Sequence, residues 1–312
     1  MSLVLTSVLP IFSLIVLGYL AGRLGYVGET TSAGLADFTF KLAIPALLFR
    51  TVATADLPDV SPFAVWASYF AAVFSVWAGA ALISTLVLRR AVGDTAAISM
   101  SAGFGNVVML GIPLAISLHG EAAAGPIALI IAAHSPILWT LATLHNALVN
   151  RDGQTAIGDV FRRAASDLSR NTIILAILAA LAWRATGLAV PELGVGILAM
   201  LGQAAIPCAL VSLGLSLVGF RIAGQIPTLG LILLLKLAVL PVLAAILANT
   251  VFDLPKVTAA VVVIFAAMPT GANAYLFATQ VGRAINSASG AVVLATLISI
   301  VTSTILLLTL PA

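Results

Sequence analysis

The sequence predicts an all-α membrane protein with ten transmembrane helices in two inverted five-helix repeats, helices 4 and 9 being broken where they cross. Of its 312 residues, 62% are hydrophobic and only 8% are charged, whereas a soluble domain carries roughly a quarter charged residues. The chain also divides into ten apolar stretches, and similar proline motifs recur in both halves. This composition excludes a soluble enzyme, a nucleic-acid-binding protein and a disordered chain.

The apolar stretches have about the 20-residue length that crosses a bilayer. They lie near residues 4–22, 36–54, 63–88, 96–118, 125–148, 171–186, 196–219, 228–249, 256–280 and 288–310. The first lacks a basic segment before it, so we interpret it as a retained span rather than a signal peptide. The longest polar segment, 151–170, is predicted to be a cytoplasmic loop between a first repeat (1–150) and a second repeat (171–312).

The basic residues predict the orientation, because cytoplasmic loops carry an excess of Lys and Arg. With the N-terminus outside, three basic residues fall on outside segments: Arg50, Arg184 and Lys256. Nine fall on inside segments: Arg23, Arg89, Arg90, Arg151, Arg162, Arg163, Arg170, Arg221 and Arg283. We therefore expect both termini to lie outside the cell membrane.

The internal repeat is indicated by prolines at corresponding places in the two halves. Pro45 and Pro207 each follow an isoleucine in the second and seventh spans, and Pro113 and Pro269 lie in the fourth and ninth. Five spans per half is an odd number, so the second half must be inserted upside down, as in many secondary transporters.

The fourth and ninth spans combine proline, glycine and asparagine, which favours interrupted helices that meet near the midplane. Such breaks expose main-chain groups and helix N-termini suited to a carboxylate. The alternative is a pair of kinked structural helices whose asparagines bond to neighbouring helices. The predicted substrate-binding residues are Asn106, Gly111, Pro113, Pro269, Thr270, Gly271, Asn273 and Lys236.

Other polar residues inside the spans leave alternatives open. Lys236 either attracts an anion inward or extends its charge to the cytoplasmic interface. Lys41 follows Asp37 by four residues, which favours an ion pair. His134 and His145 either titrate near neutral pH or make hydrogen bonds between helices. A single cysteine, Cys208, and histidines without metal-ligand spacing predict no metal and no cofactor.

Two strings resemble signatures of the auxin efflux carrier family, which includes plant PIN-type exporters and bacterial malonate permease-like proteins. GNVVMLGIPL (residues 105–114) resembles the fourth span of the family, and MPTGANAYLFA (residues 268–278) resembles the ninth. KLAIPALLF (residues 41–49) resembles the second span, and Lys236, five residues before Pro241, resembles a basic residue of the eighth. The similarity extends over nearly the whole chain.

This resemblance implies a scaffold of spans 1, 2, 6 and 7 and a transport domain of spans 3–5 and 8–10. It also implies organic-anion substrates, elevator-type alternating access, a homodimer through the scaffold, and a crossover site that includes Asn106, Pro113, Pro269 and Asn273. The plant branch has a long loop after span 5 and an acid in span 3. This chain has about 20 residues in that loop and no acid in 63–88, which favours a bacterial-type carrier and leaves Lys236 without an evident acidic partner.

The sequence therefore favours a secondary transporter of small organic anions, such as malonate or another carboxylate, rather than an enzyme. An alternative is a Na⁺-coupled organic-anion importer of the bile-acid symporter type. A membrane receptor or structural membrane protein is a third hypothesis, disfavoured because a scaffold needs no paired helix breaks. The expected partners are the substrate and the lipid bilayer, with no nucleic acid.

Overall fold

Helices form almost all of the described part of the computed structural model, which comprises residues 9–54, 60–150, 158, 162, 166, 169–220 and 224–309. Most of the predicted cytoplasmic loop 151–170 lies outside this part, as do residues 4–8 of the first predicted span. Three of the basic residues used to predict the orientation also lie outside it: Arg151, Arg163 and Arg221.

The α-helices are numbered here in chain order. They are α1 (Leu9–Arg23), α2 (Glu29–Phe38), α3 (Ile44–Thr54), α4 (Pro62–Leu86), α5 (Thr95–Gly103), α6 (Ile112–His119), α7 (Ala124–Asn150), α8 (Thr172–Ala185), α9 (Glu192–Leu217), α10 (Ile226–Leu234), α11 (Leu240–Ile246), α12 (Lys256–Ala267), α13 (Ala272–Val281) and α14 (Ile285–Thr309). Four π-helical turns join some of them: π1 (Thr39–Ala43), π2 (Val107–Gly111), π3 (Leu235–Val239) and π4 (Leu247–Val251).

Within the described residues, each of the ten predicted apolar stretches is mostly helical, so the all-helical prediction is confirmed. In the described ranges, six continuous helical segments are long and apolar enough to cross a membrane: Glu29–Thr54, Pro62–Leu86, Val107–Asn150, Glu192–Leu217, Ile226–Val251 and Ile285–Leu306. Three further apolar helices, α1, α8 and α12, are shorter. The chain is therefore a multi-pass membrane protein, and the ten crossings and the inverted repeat stay predictions.

Three of the π turns have a common local cause. π1, π2 and π3 each end two residues before a proline, namely Pro45, Pro113 and Pro241. A proline inside a helix lacks the N–H donor and collides with the carbonyl four residues earlier. Widening the preceding turn moves that carbonyl away, so these helices continue through their prolines.

The chain forms two compact units. The first comprises Met1–Val60, Val108–Ala132 and Asp167–Gly219. Within it, α1 packs closely along α9, where glycines remove the side chains that would separate two helices. A Cβ atom at Gly18 would overlap the Val211 carbonyl oxygen, and one at Gly214 would overlap the Ile15 carbonyl oxygen. The Thr172 hydroxyl links α8 to π1 by donating to the Phe40 carbonyl (2.8 Å).

The second unit comprises Ser61–Val107, Ala133–Ser166 and Phe220–Ala312. At its centre lie two short helices that are buried around their whole circumference. Every residue of α5 is buried, and so is every residue of α12 from Thr258 to Ala267. A helix that is buried on all sides lies in the core of a larger assembly. Both of these helices end at an interruption of the chain.

The contact between α1 and α9 predicts opposite effects for two glycine substitutions in the same helix. Gly214→Ala should destabilise the protein by about 1–3 kcal/mol, because its new methyl group meets main chain of α1 that has no room to move. Gly196→Ala should be neutral or stabilising by up to about 1 kcal/mol, since alanine favours helix and nothing lies within 4 Å of its Cβ position.

Thermal unfolding of the two variants in detergent, each compared with the wild type, measures this difference. Equal unfolding temperatures for both variants would contradict the close packing of α1 on α9.

Candidate functional site

Two helices of the second unit are interrupted at matching places. α5 ends at Gly103, Phe104 is extended (φ −81°, ψ 106°), and helix resumes at Val107. α12 ends at Ala267, Met268 is extended (φ −61°, ψ 140°), and helix resumes at Ala272. Met268 precedes Pro269, and a residue before proline is driven out of the α conformation by steric conflict. The predicted break in the ninth stretch thus has a direct cause in the sequence.

The two interruptions pair with each other. Gly105 and Thr270 form an isolated antiparallel bridge. The Asn106 N–H donates to the Pro269 carbonyl (2.7 Å), and the Gly271 N–H donates to the Phe104 carbonyl (3.0 Å). Each break therefore supplies partners for main-chain groups that the other break releases, which is required where water is absent.

Side-chain volume limits how closely the two segments approach. A Cβ atom at Gly271 would lie 3.2 Å from the Gly105 carbonyl oxygen and 3.1 Å from Cδ1 of Phe104. The Thr270 side chain instead points to α5 and donates to the Ser101 carbonyl (2.8 Å). Because α5 ends two residues after Ser101, this hydroxyl takes the place of the helical N–H donor that the carbonyl has lost.

The side chain of Lys236, which lies in π3, reaches the paired interruptions. It is fully buried, and its Nζ donates to the Ala266 carbonyl (2.9 Å) at the C-terminal end of α12. A Cβ atom at Gly105 would lie 3.1 Å from this Nζ, so the absence of a side chain there makes room for the amine. Lys236 therefore does not extend to an interface, and its partner is a main-chain carbonyl, which carries the negative end of a helix dipole.

The predicted site residues are distributed as follows. Asn106 is buried within the first interruption, and Asn273 is half-buried in the first turn of α13. Gly111 and Pro113 belong to the first unit, where Gly111 closes π2 and Pro113 lies in the first turn of α6. The proline, glycines and asparagine of the fourth stretch predicted an interruption of the helix there. The structure places it at 104–106, because π2 accommodates Pro113 without breaking the helix.

Both intramembrane histidines make hydrogen bonds between helices. His145 Nδ1 accepts from the Trp77 indole N–H (3.1 Å), and its Nε2 lies 3.1 Å from the Thr95 hydroxyl. His134 Nδ1 lies 3.1 Å from the Tyr69 hydroxyl. These bonds tie α7 to α4, and in the case of His145 also to α5. The prediction of an ion pair between Asp37 and Lys41 is confirmed, at 2.7 Å.

Sequence reasoning missed the supporting contacts. Tyr69 and Ser101 carried no motif, and their partners lie 65 and 169 residues away along the chain. A tyrosine within an otherwise apolar stretch was the available signal, since a buried phenol usually finds a hydrogen-bond partner.

The arrangement suits binding rather than bond-making. It offers amide groups, the N-terminus of α13 and one amine, all of which favour a negatively charged ligand. No group of three His, Cys, Asp or Glu side chains that could hold a metal occurs among the described residues. Paired helix breaks beside a buried charge in a multi-pass membrane protein define the class of membrane transport proteins.

Comparison with known proteins identifies the family within this class. The chain belongs to the family described as "Membrane transport protein" (Mem_trans), the auxin efflux carrier family, whose model matches residues 3–307. It is 29% identical over 306 residues to a "Putative malonate transporter" of Rhizobium meliloti (strain 1021), covering 96% of this chain and 93% of that protein. It is 25% identical over 299 residues to an "Uncharacterized transporter" of Methanothermobacter thermautotrophicus, covering 95% of this chain and 94% of that protein. The protein is therefore a membrane transporter and not an enzyme.

The hydrogen bond from Thr270 to Ser101 predicts a specific cost of removing one hydroxyl. Thr270→Val keeps the side-chain shape but leaves the buried Ser101 carbonyl without this donor, which should destabilise the protein by about 1–3 kcal/mol. Thr270→Ser keeps the hydroxyl and should therefore retain most of the stability that Thr270→Val loses. The matched control is Thr279→Val on the exposed face of α13, where the hydroxyl bonds within its own helix.

Thermal unfolding in detergent, with the three variants measured in parallel, tests this role. A Thr270→Val variant as stable as Thr279→Val would contradict it.

Proposed function

We propose that the protein is a secondary transporter that moves small organic anions, malonate or a related carboxylate, across the cell membrane. The observation that carries this proposal is the burial of Lys236 between two interrupted helices, with no buried carboxylate beside it among the described residues. A buried ionisable residue in a membrane protein is by default a functional candidate, because its desolvation is costly unless something repays it.

The described acidic residues lie elsewhere. No aspartate or glutamate in the described ranges is buried. Three of them form ion pairs with other basic residues: Asp37 with Lys41, Asp94 with Arg90, and Glu121 with Arg50. The ammonium form of Lys236 therefore leaves a positive charge that a substrate carboxylate can balance.

The polar groups around the breaks support the same ligand chemistry. Asn106 lies in the first interruption, and Asn273 lies at the N-terminus of α13, where the helix dipole is positive. Pro269, Thr270 and Gly271 form the segment that leads into this helix. Amide donors and a helix N-terminus bind a carboxylate without a metal or a cofactor. The name of the relative from Rhizobium meliloti, "Putative malonate transporter", makes malonate the first compound to test.

Lys236 also bears on the Na⁺-coupled alternative. Main-chain carbonyls at the end of a broken helix are the groups with which such carriers bind Na⁺. Here the amine of Lys236 occupies the Ala266 carbonyl, and a second cation beside it would be repelled. This contact favours an anion at the interruption over a sodium ion.

The two compact units support an elevator-type mechanism as part of the proposal. Helices of predicted spans 1, 2, 6 and 7 belong to the first unit, and those of spans 3, 8, 9 and 10 belong to the second, with spans 4 and 5 divided. We propose the first group as the scaffold, with a homodimer through it, and the second as the moving body. We also propose that the chain crosses the membrane ten times as two inverted repeats, with both termini outside. The proposed location is a bacterial inner membrane.

The role of Lys236 is tested by transport of labelled malonate into proteoliposomes. Lys236→Met should raise the half-saturating malonate concentration about tenfold to a hundredfold, since a hydrogen bond to a charged group is worth about 1.5–3 kcal/mol. Lys256→Met, which removes an exposed lysine at the start of α12, should change it less than about twofold, because this lysine lies outside the buried site.

Both variants must elute as the wild type does in detergent. Unchanged saturable transport by a folded Lys236→Met protein would overturn the assignment of this residue, and the absence of transport of any small carboxylate by the wild type would overturn the proposed function.

A further inference from the structure

His134 occupies a place that its helix-bridging contact does not fully explain. Its side chain is 1% exposed, in the part of α7 that belongs to the second unit. Its ring packs edge-on against Phe104, with 4.5 Å between the ring centroids. Phe104 is the first residue of the interruption after α5, so the imidazole lies directly against the candidate site.

One ring nitrogen of His134 has no hydrogen bond of normal geometry to the described residues. Nδ1 is engaged by the Tyr69 hydroxyl. Nε2 is buried and makes no hydrogen bond of normal geometry to the described residues, although the Gly105 main chain lies close enough to act as a weak acceptor for the ring. Leaving a buried polar nitrogen unsatisfied costs about 1–3 kcal/mol, and such a cost calls for an explanation outside the resting structure.

His145, on the same helix, makes the contrast clear. The Trp77 indole is only a donor, so His145 Nδ1 must accept its proton, and in the neutral ring the remaining proton lies on Nε2. That proton is donated to the Thr95 hydroxyl, which itself donates to the Val92 carbonyl. Both ring nitrogens of His145 are used in hydrogen bonds between helices. His134 keeps one ring nitrogen available to bind a proton or to donate to an acceptor.

The charged surroundings of His134 are simple. In the described ranges, the titratable groups that face it are Tyr69 from α4 and Lys236 from π3, the latter close enough for electrostatic interaction. No buried carboxylate accompanies them in these ranges. Two positive charges in this apolar environment repel each other, and an anion at the interruption would offset both. Binding of an anion and binding of a proton at His134 must then favour each other, because such coupling is reciprocal.

We propose that His134 binds the proton that is transported together with the organic anion, so that the carrier is proton-coupled. The proton comes from the aqueous phase on the side where the anion enters, is held on the imidazole while the anion is bound, and is released with it. This inference rests on the proposed function and adds the identity of the coupling ion and of the residue that carries it.

The test uses full-length protein in sodium-free proteoliposomes, with the membrane voltage clamped at zero by potassium and valinomycin. Labelled malonate is the probe, and a pH-sensitive dye inside the vesicles reports proton movement. In the wild type, an inwardly directed proton gradient should drive accumulation of malonate several-fold above equilibrium, with an accompanying proton flux.

His134→Gln keeps a side chain that can bond to Tyr69 but does not titrate. It should retain exchange of external labelled malonate for internal unlabelled malonate and lose accumulation driven by the pH gradient, with a flattened pH profile of uptake. His145→Gln, the control on the same helix, should retain gradient-driven accumulation. Accumulation by His134→Gln equal to that of the wild type would overturn the proposal.

If His134→Gln does not fold, malonate exchange and proton flux measured with the wild-type protein alone test the proposed proton coupling. Malonate exchange without any proton flux overturns the proton proposal and leaves the proposed function standing. Absence of malonate exchange overturns the malonate-like substrate of the proposed function instead, and with it the coupling proposed here.

Discussion

The requirement that main-chain polar groups find partners in an apolar environment governs this structure. An uninterrupted helix meets the requirement alone, but α5 and α12 both end inside a fully buried region. The main-chain groups released at one interruption bond to those released at the other, through the bridge between Gly105 and Thr270 and its two flanking hydrogen bonds. Because each break depends on the other, the two segments form one structural element, although they lie more than 160 residues apart in the sequence.

This mutual pairing leaves the carbonyl end of α12 in a region where no acidic side chain of the described residues is buried. The amine of Lys236 bonds to a carbonyl at this end. A buried amine bonded to a carbonyl keeps its charge unbalanced, in contrast to a buried ion pair, which is electrically neutral. An anionic ligand then contributes electrostatic energy that the empty protein lacks. The role proposed for His134 has the same electrostatic basis, since a second positive charge near the same interruption is repelled by the first unless an anion is bound.

Much of the fold could be predicted from the sequence because it depends on local properties. Apolar length predicted the helices, and the Pro269 motif predicted the break after α12. Proline was a poorer guide at Pro113, since π2 absorbs it and the chain leaves the helix at Phe104–Asn106 instead. The contacts of Lys236, Thr270 and His134 depend on residues distant in the chain, so no spacing rule could reveal them. The sequence could thus indicate which side chains were unusual for a membrane span, and only the fold could indicate what they touch.

The central proposal is that an organic anion binds at the paired interruptions of the second unit. An experimental structure of the protein determined in lipid with saturating malonate measures this directly. We expect anion density within hydrogen-bond distance of Asn106 or Asn273 and of the main chain around residues 104–106 and 268–272. Continuous helix through these residues, or malonate bound with all of these groups beyond contact, would contradict it.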